Sequence, residues 1–292
     1  MLNDNNIDLV IPTRHDTSYV LRLLEAAARD PRWVKHTFHF IFDANAQESS
    51  HKLRKWLSDN REKTLPNVET FFAPPQATGR PNLLRQIGVN QGSNPYVYFQ
   101  DDDDPLPENL NICRDILNSA PQCGAVFGLT ETYTPRGQLI ERFPTVEAGG
   151  SNADQIIEGM RIFPTYGHAL SGLFRREVFQ DNPVDDGQNY QMCGINAFIL
   201  SLLESYDDIR AIPEVVRRVR QNPENPRSPV FGENRRLLLA EDISLWMRYI
   251  SSPRVRRFHE EIRQELMEGT ISTYRDITAR IEQALEEGDL LD

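Results

Sequence analysis

A chain of 292 residues with 32 lysines and arginines against 43 acids, and a formal charge of -11, is poorly suited to grip nucleic acid, because phosphate contacts need a concentrated cationic surface. At 39% hydrophobic residues and a mean hydropathy of -0.53 it is globular in composition, and no apolar stretch approaches the length that spans a bilayer. Cys113, Cys123 and Cys193 are odd in number and widely spaced, which fits reduced packing thiols rather than a disulfide framework or a zinc site.

Met1 to Asn6 has neither the basic region nor the apolar core of a secretion signal, so a cytoplasmic location is expected. Residues 7–11 read as a short strand stopped by Pro12. Asp16, Thr17 and Ser18 supply caps for an amphipathic helix through residues 19–24. Residues 38–42 repeat the strand pattern and end at Asp43-Ala44-Asn45, and residues 50–57 read as helix. A third strand covers 68–72, Pro81 suits the first turn of a helix through Leu84 and Ile87, and residues 96–100 form a fourth strand. Strands alternating with helices imply an α/β fold with a mostly parallel sheet sandwiched by helices, its ligand edge carrying Thr13, Asp43 and the acids after residue 100.

Beyond that point the pattern changes. Residues 124–133 read as strand, Pro135-Arg136-Gly137 as a turn, and residues 138–143 as the returning strand of a hairpin. Helices are expected over 175–179 and 196–203, and after Asn222-Pro223-Glu224-Asn225-Pro226 over 237–250, 255–267 and 274–285. The expected organisation is a main domain over 1–222, with a nucleotide-binding half at 1–110 and an acceptor half at 111–222. A helical extension over 223–292 would be suited to packing or to homo-oligomer contacts.

The run Gln100-Asp101-Asp102-Asp103-Asp104-Pro105 follows a buried-type strand. Adjacent carboxylates repel unless a cation neutralises them, and hard divalent ions such as Mn²⁺ or Mg²⁺ take oxygen ligands of this kind. The alternative is a solvated turn capping the helix near Pro107-Glu108-Asn109. In an extended segment Asp101 and Asp103 would face the ligand together while Asp102 points elsewhere.

In order along the chain, Ile7-Asp8-Leu9-Val10-Ile11-Pro12-Thr13, Ile41-Phe42-Asp43, Leu84-Arg85-Gln86-Ile87-Gly88, Tyr98 to Asp104 with Pro107-Glu108-Asn109-Leu110, and Ser171-Gly172-Leu173-Phe174-Arg175-Arg176-Glu177-Val178-Phe179 resemble the motifs of family 2 glycosyltransferases of the GT-A fold. The resemblance covers about residues 5 to 220. It implies a metal-dependent transfer of a sugar from a nucleotide-sugar donor, a UDP-sugar as first choice, to an acceptor that the sequence does not identify. It places the donor base at Asp43 with Pro12, Thr13 and Arg14 lining its pocket, the diphosphate or Asp101 at Arg85 with Arg80 as a second candidate, and the ribose at Asp101. Asp102 completes the donor-binding set, and Asp103 takes the metal with Asp104 sharing ligation.

One departure from that family concerns the general base. Its inverting members usually carry a Glu-Asp pair just before the helix that corresponds to residues 196–200, where this chain has Cys193-Gly194-Ile195-Asn196. Asp186, then Asp185, then His168 are the candidates that remain. Nucleotidyl transfer on a similar scaffold, and a non-catalytic domain that binds a nucleotide sugar or a protein partner, stand as alternatives. No Gly-x-Gly-x-x-Gly, Gly-x4-Gly-Lys-Ser/Thr, His-Glu-x-x-His or Gly-x-Ser-x-Gly motif is present.

Overall fold

A computed structural model describes residues 6–13, 17–60, 62–63, 65–134, 136–143, 156–157, 159–160, 170–185, 194–220, 252–271, 276–277, 279–280 and 283–284. The amino-terminal half alternates β1 (Ile7–Thr13), α1 (Thr17–Ala28), β2 (Thr37–Phe42), α2 (Gln47–Asp59), β3 (Asn67–Phe72), α3 (Pro81–Gln91), β4 (Tyr96–Phe99) and α4 (Leu110–Ser119). There follow β5 (Ala125–Tyr133), β6 (Leu139–Phe143), β7 (Gly172–Arg175), a short α5 (Val178–Asp181), α6 (Gly194–Ser205), β8 (Ile209–Arg220) and α7 (Pro253–Glu268).

Among the described residues the strands form one sheet in the order β3-β2-β1-β4-β7-β5-β6, with β8 on the other edge of β5. β3, β2, β1 and β4 are parallel neighbours, and β8 runs parallel to β5. β7 is antiparallel to both β4 and β5, so β5 points the same way as β4. The carboxyl ends of β1, β2, β4, β5 and β8 therefore share one edge.

Both faces are covered, which is why β1, β2 and β4 are buried along almost their whole length. Leu9, Ile11, Phe38, Phe40, Phe42, Tyr98 and Val126 pack against α1, α2 and α4 through Val20, Leu24, Leu53, Cys113 and Leu117. The alternate residues Val10, Ile41, Phe99, Phe127 and Phe174 pack against α3, α5 and α6, where the Phe179 and Phe198 rings stack with centroids 5.3 Å apart. Cys113 and Cys123 are buried free thiols, as the spacing suggested, and Cys193 lies outside the described residues. No described helix is long and apolar enough to cross a membrane.

The chain departs from expectation at several places, beginning with β1, which continues through Pro12 to Thr13 instead of stopping at Pro12. The segment expected to lead from Gly172 into a helix over 175–179 is strand β7, with helix only from Val178, because Leu173 and Phe174 alternate onto opposite buried faces. Residues 209–220, where no strand is expected, form β8. Pro213 and the arginines of Val216-Arg217-Arg218-Val219-Arg220 argue against a central strand, and β8 lies on one side of β5 only, with register shifts around Leu129. Gly128 permits that approach, since a Cβ there would lie 2.8 Å from Glu214 O and closer still to Val216. The β5–β6 hairpin forms as expected, with Gly137 at φ 81 in its turn. The helix expected over 255–267 is α7, residues 276–277, 279–280 and 283–284 are helical, and the expected helix over 237–250 lies outside the described residues.

Candidate functional site

Thr13, Asp43 and the acidic run stand at the carboxyl ends of three adjacent parallel strands, β1, β2 and β4, where open α/β sheets bind ligands. Thr13 is fully buried, its hydroxyl donates to Ile11 O at 3.2 Å, and Pro12 is half-buried beside Ile41 across the β1–β2 ladder. Asp43 is buried. Its Oδ2 accepts the Gly79 backbone N–H at 3.0 Å and its Oδ1 that of Asn45 at 3.3 Å. It thereby ties the end of β2 to the segment that leads into α3.

That helix brings Arg85 to the run. Arg85 Nη2 donates to Asp101 Oδ1 at 2.9 Å, and its Nη1 donates to Asn82 Oδ1 at 2.9 Å. The other oxygen of Asp101 is taken by Arg217 of β8, Nη2 to Oδ2 at 2.6 Å. The same Nη2 reaches Asp104 Oδ2 at 2.6 Å, with Arg217 Nε at 3.2 Å, and the Arg220 N–H donates to Asp104 Oδ1 at 3.2 Å.

The run is a turn rather than the extended segment expected, since the Asp104 N–H returns to Asp101 O at 3.3 Å. The buried Gln100 amide secures it by donating to the carbonyls of Asp101, Asp104 and Pro105 at 2.8, 3.3 and 3.2 Å. Strand alternation therefore does not govern which of the four side chains share a side. Their partners do: Asp101 and Asp104 turn to guanidinium groups, while for Asp102 and Asp103 no ion pair is found among the described residues.

The electrostatics follow the same division. Burial pushes the Asp101 carboxyl up, but Arg217 and Arg85 outweigh it and hold it below the usual carboxylate range. Burial and then the neighbouring carboxylates raise Asp102 well above that range and raise Asp103 as well. Asp104 is also raised, burial outweighing its contact with Arg217. Four carboxylates against two guanidinium groups leave a formal surplus of two negative charges. Carboxylate oxygens carrying that surplus suit a hard divalent ion, and the acids without an ion pair among the described residues are Asp102 and Asp103, the latter feeling the charges of Arg217 and Arg220 at longer range. No cluster of three or more His, Cys, Asp or Glu side chains with metal-binding geometry occurs among the described residues, so further oxygen ligands would come from water or a bound phosphate.

On the neighbouring flank, Arg80 Nη2 contacts both carboxylate oxygens of Asp185, at 3.1 and 2.9 Å. The Val184 N–H, next in the same loop, donates to Gln86 Oε1 at 2.7 Å. The loop after α5 is thus fastened to α3 beside the site. Arg14, His168 and Asp186 lie outside the described residues. Sequence reasoning missed Arg217, Gln100 and Asn82. An accounting of which cations could neutralise four consecutive acids would have directed attention to the arginines of residues 217–220.

No protein-family model matches the chain, and no curated protein sequence matches it. Solved structures match it by shape. S. aureus TarS 1-349 aligns over 93% of this chain and 73% of its own length, with a TM-score of 0.58 and 11% identity. The same protein in complex with UDP aligns with a TM-score of 0.58 at 13% identity, again over 93% of this chain and 73% of its own. Its complex with UDP-GlcNAc covers 90% of this chain and 71% of its own at 12% identity and a TM-score of 0.54. The fold is that of the GT-A-like glycosyltransferases, with a mostly parallel central sheet between helical layers.

Proposed function

We propose that this chain transfers a sugar from a nucleotide-sugar donor, a UDP-sugar as first choice, to an acceptor hydroxyl. The observation that carries this reading is the convergence at one sheet edge of Asp43, Arg85 and the acidic turn held by Arg217. It is supported by a fold shared with TarS, which has been solved with UDP and with UDP-GlcNAc. In this reading Asp43 and Thr13 border the base, the Asp101 turn faces the ribose, and Arg85 and Arg80 lie beside the diphosphate.

A donor of this class leaves as a nucleoside diphosphate, and charge develops on its phosphate oxygens as the glycosidic bond breaks. Preorganised cations at that position stabilise the transition state more than the ground state. Asp103, with Asp102, would hold Mn²⁺ or Mg²⁺, and such an ion, when bound, supplies positive charge to the diphosphate. Asp185 is the described candidate for general base, its carboxylate held beside the site by Arg80. That same pairing favours a second reading, in which the domain binds a nucleotide sugar without turning it over.

Thermal melting with a panel of nucleotides and nucleotide sugars, each with Mn²⁺ or with chelator, tests the proposal. A ligand at a hundred times its dissociation constant adds about 2.7 kcal/mol of stability. Stabilisation by UDP that requires the metal is expected, and sugar release or transfer then separates the two readings. No response from any nucleotide would overturn both.

A further inference from the structure

Arg217 sits where two carboxylates of the acidic turn would otherwise meet each other. Its side chain is 5% exposed, and one nitrogen, Nη2, lies 2.6 Å from Asp101 and 2.6 Å from Asp104. Its Nη1 is buried without a hydrogen-bond partner among the described residues. The strand that delivers it is held by three hydrogen bonds, one to the run itself and two to the segment that follows it. The Glu108 N–H donates to Val216 O at 2.9 Å, Asn109 Nδ2 to Val215 O at 2.8 Å, and the Arg220 N–H to Asp104 Oδ1 at 3.2 Å. A guanidinium held so firmly between two acids does for them what a bound cation would do.

We propose that Arg217 is a positioning residue that serves as the resident counter-ion of the acidic turn. It withholds Asp101 and Asp104 from divalent cations, so that a metal engages Asp102 and Asp103 and binds firmly only when a nucleotide supplies further oxygens. The inference rests on the donor-site reading above. Its physical basis is ligand supply: Mg²⁺ and comparable hard cations take about six oxygens, and two carboxylates furnish only part of that shell. Releasing Asp101 and Asp104 adds ligands and negative charge to the same turn. An arginine that merely braced the fold would, when removed, loosen the turn and weaken metal binding.

The test uses Mn²⁺ alone as probe on the whole chain, without nucleotide, read by electron paramagnetic resonance of the free ion. Arg217→Gln should bind Mn²⁺ at least about tenfold more tightly than the wild type, since a carboxylate pair gains a cation it had been denied. Arg217→Lys, which restores the charge, should return the affinity to the wild-type level. A folded Arg217→Gln protein with unchanged or weaker Mn²⁺ affinity overturns the proposal. The wild type supplies a second measurement that needs no variant, because firm Mn²⁺ binding without nucleotide would equally overturn it. Failure to bind UDP bears instead on the donor-site reading, since neither arm contains a nucleotide.

Discussion

Arg80 and Asp185, 105 residues apart in sequence, form a two-contact ion pair in which the aspartate side chain is 7% and the arginine side chain 34% exposed. An ion pair with one partner this open to water contributes only about 0.2–1 kcal/mol. A ligand diphosphate, offering a charge-assisted contact of roughly 1.5–3 kcal/mol, can therefore compete for Arg80. Arg80→Ala is expected to weaken UDP binding by about tenfold while changing stability by less than about 1 kcal/mol. Asp185→Asn should leave UDP binding within about threefold of the wild type and, if Asp185 is the base, lower turnover by at least about a hundredfold. Calorimetric titration and a product assay read the two effects. Unchanged UDP affinity in Arg80→Ala would remove Arg80 from the donor site.

The position of Arg85 depends on how closely α3 lies on the sheet. A Cβ on Gly88 would stand 3.1 Å from Ile41 Cγ1 and closer to Val10. Over-packing of this kind costs about 1–3 kcal/mol, against a gain of roughly 0.5–1 kcal/mol for alanine over glycine inside a helix. Gly88→Ala should be destabilised by about 1–2 kcal/mol in urea unfolding, on the same two principles. Because Arg85 is one turn away on that helix, UDP affinity should fall as well. A variant as stable as the wild type would mean that the helix shifts at no cost.

The acidic turn should divide its roles between neighbours. Asp104 is buried and ion-paired, so Asp104→Ala leaves Arg217 with Asp101 alone, its Nε donor unmet, and should cost about 1–3 kcal/mol. Asp103 has no ion pair among the described residues and stands near like charges. Its replacement by alanine should therefore change stability by less than about 1 kcal/mol. The ligand response is expected to reverse this order, with Asp103→Ala losing the Mn²⁺-dependent stabilisation by UDP. Equal thermal losses in the two variants would show that partner and exposure do not distinguish them.

Much of this was legible from periodicity. The buried apolar runs of β1, β2 and β4 and the amphipathic helices between them carry their signal locally. β7 and β8 do not. Their pairing with β4 and β5 depends on partners far along the chain, and Pro213 with four arginines between residues 210 and 220 imitates a solvated segment. The acidic run was recognisable as a site, but its shape was not. Gln100 folds it into a turn through three carbonyl contacts, and the cation that orders it comes from a residue 113 positions beyond Asp104. Long-range electrostatics of this kind leave no short-range mark in composition or spacing.

The start of β1 is held by a group whose protonation can be read. The Ile7 N–H donates to His36 Nδ1 at 3.1 Å, which requires that nitrogen to be unprotonated. Burial, then the charges of Arg114 and Lys35, push the His36 pKa down from 6.5 to about 4. The folded state therefore holds neutral imidazole at pH values where the unfolded chain has already taken up a proton. The stabilisation is fully present above pH 6.5 and is lost progressively as pH falls towards about 4. His36→Asn keeps an acceptor at nearly the same position and cannot titrate. The stability of the wild type relative to His36→Asn should fall steadily between pH 7 and pH 4 in urea unfolding, with little further change below. A difference between the two proteins that stays constant across that window would show that His36 does not carry the shift.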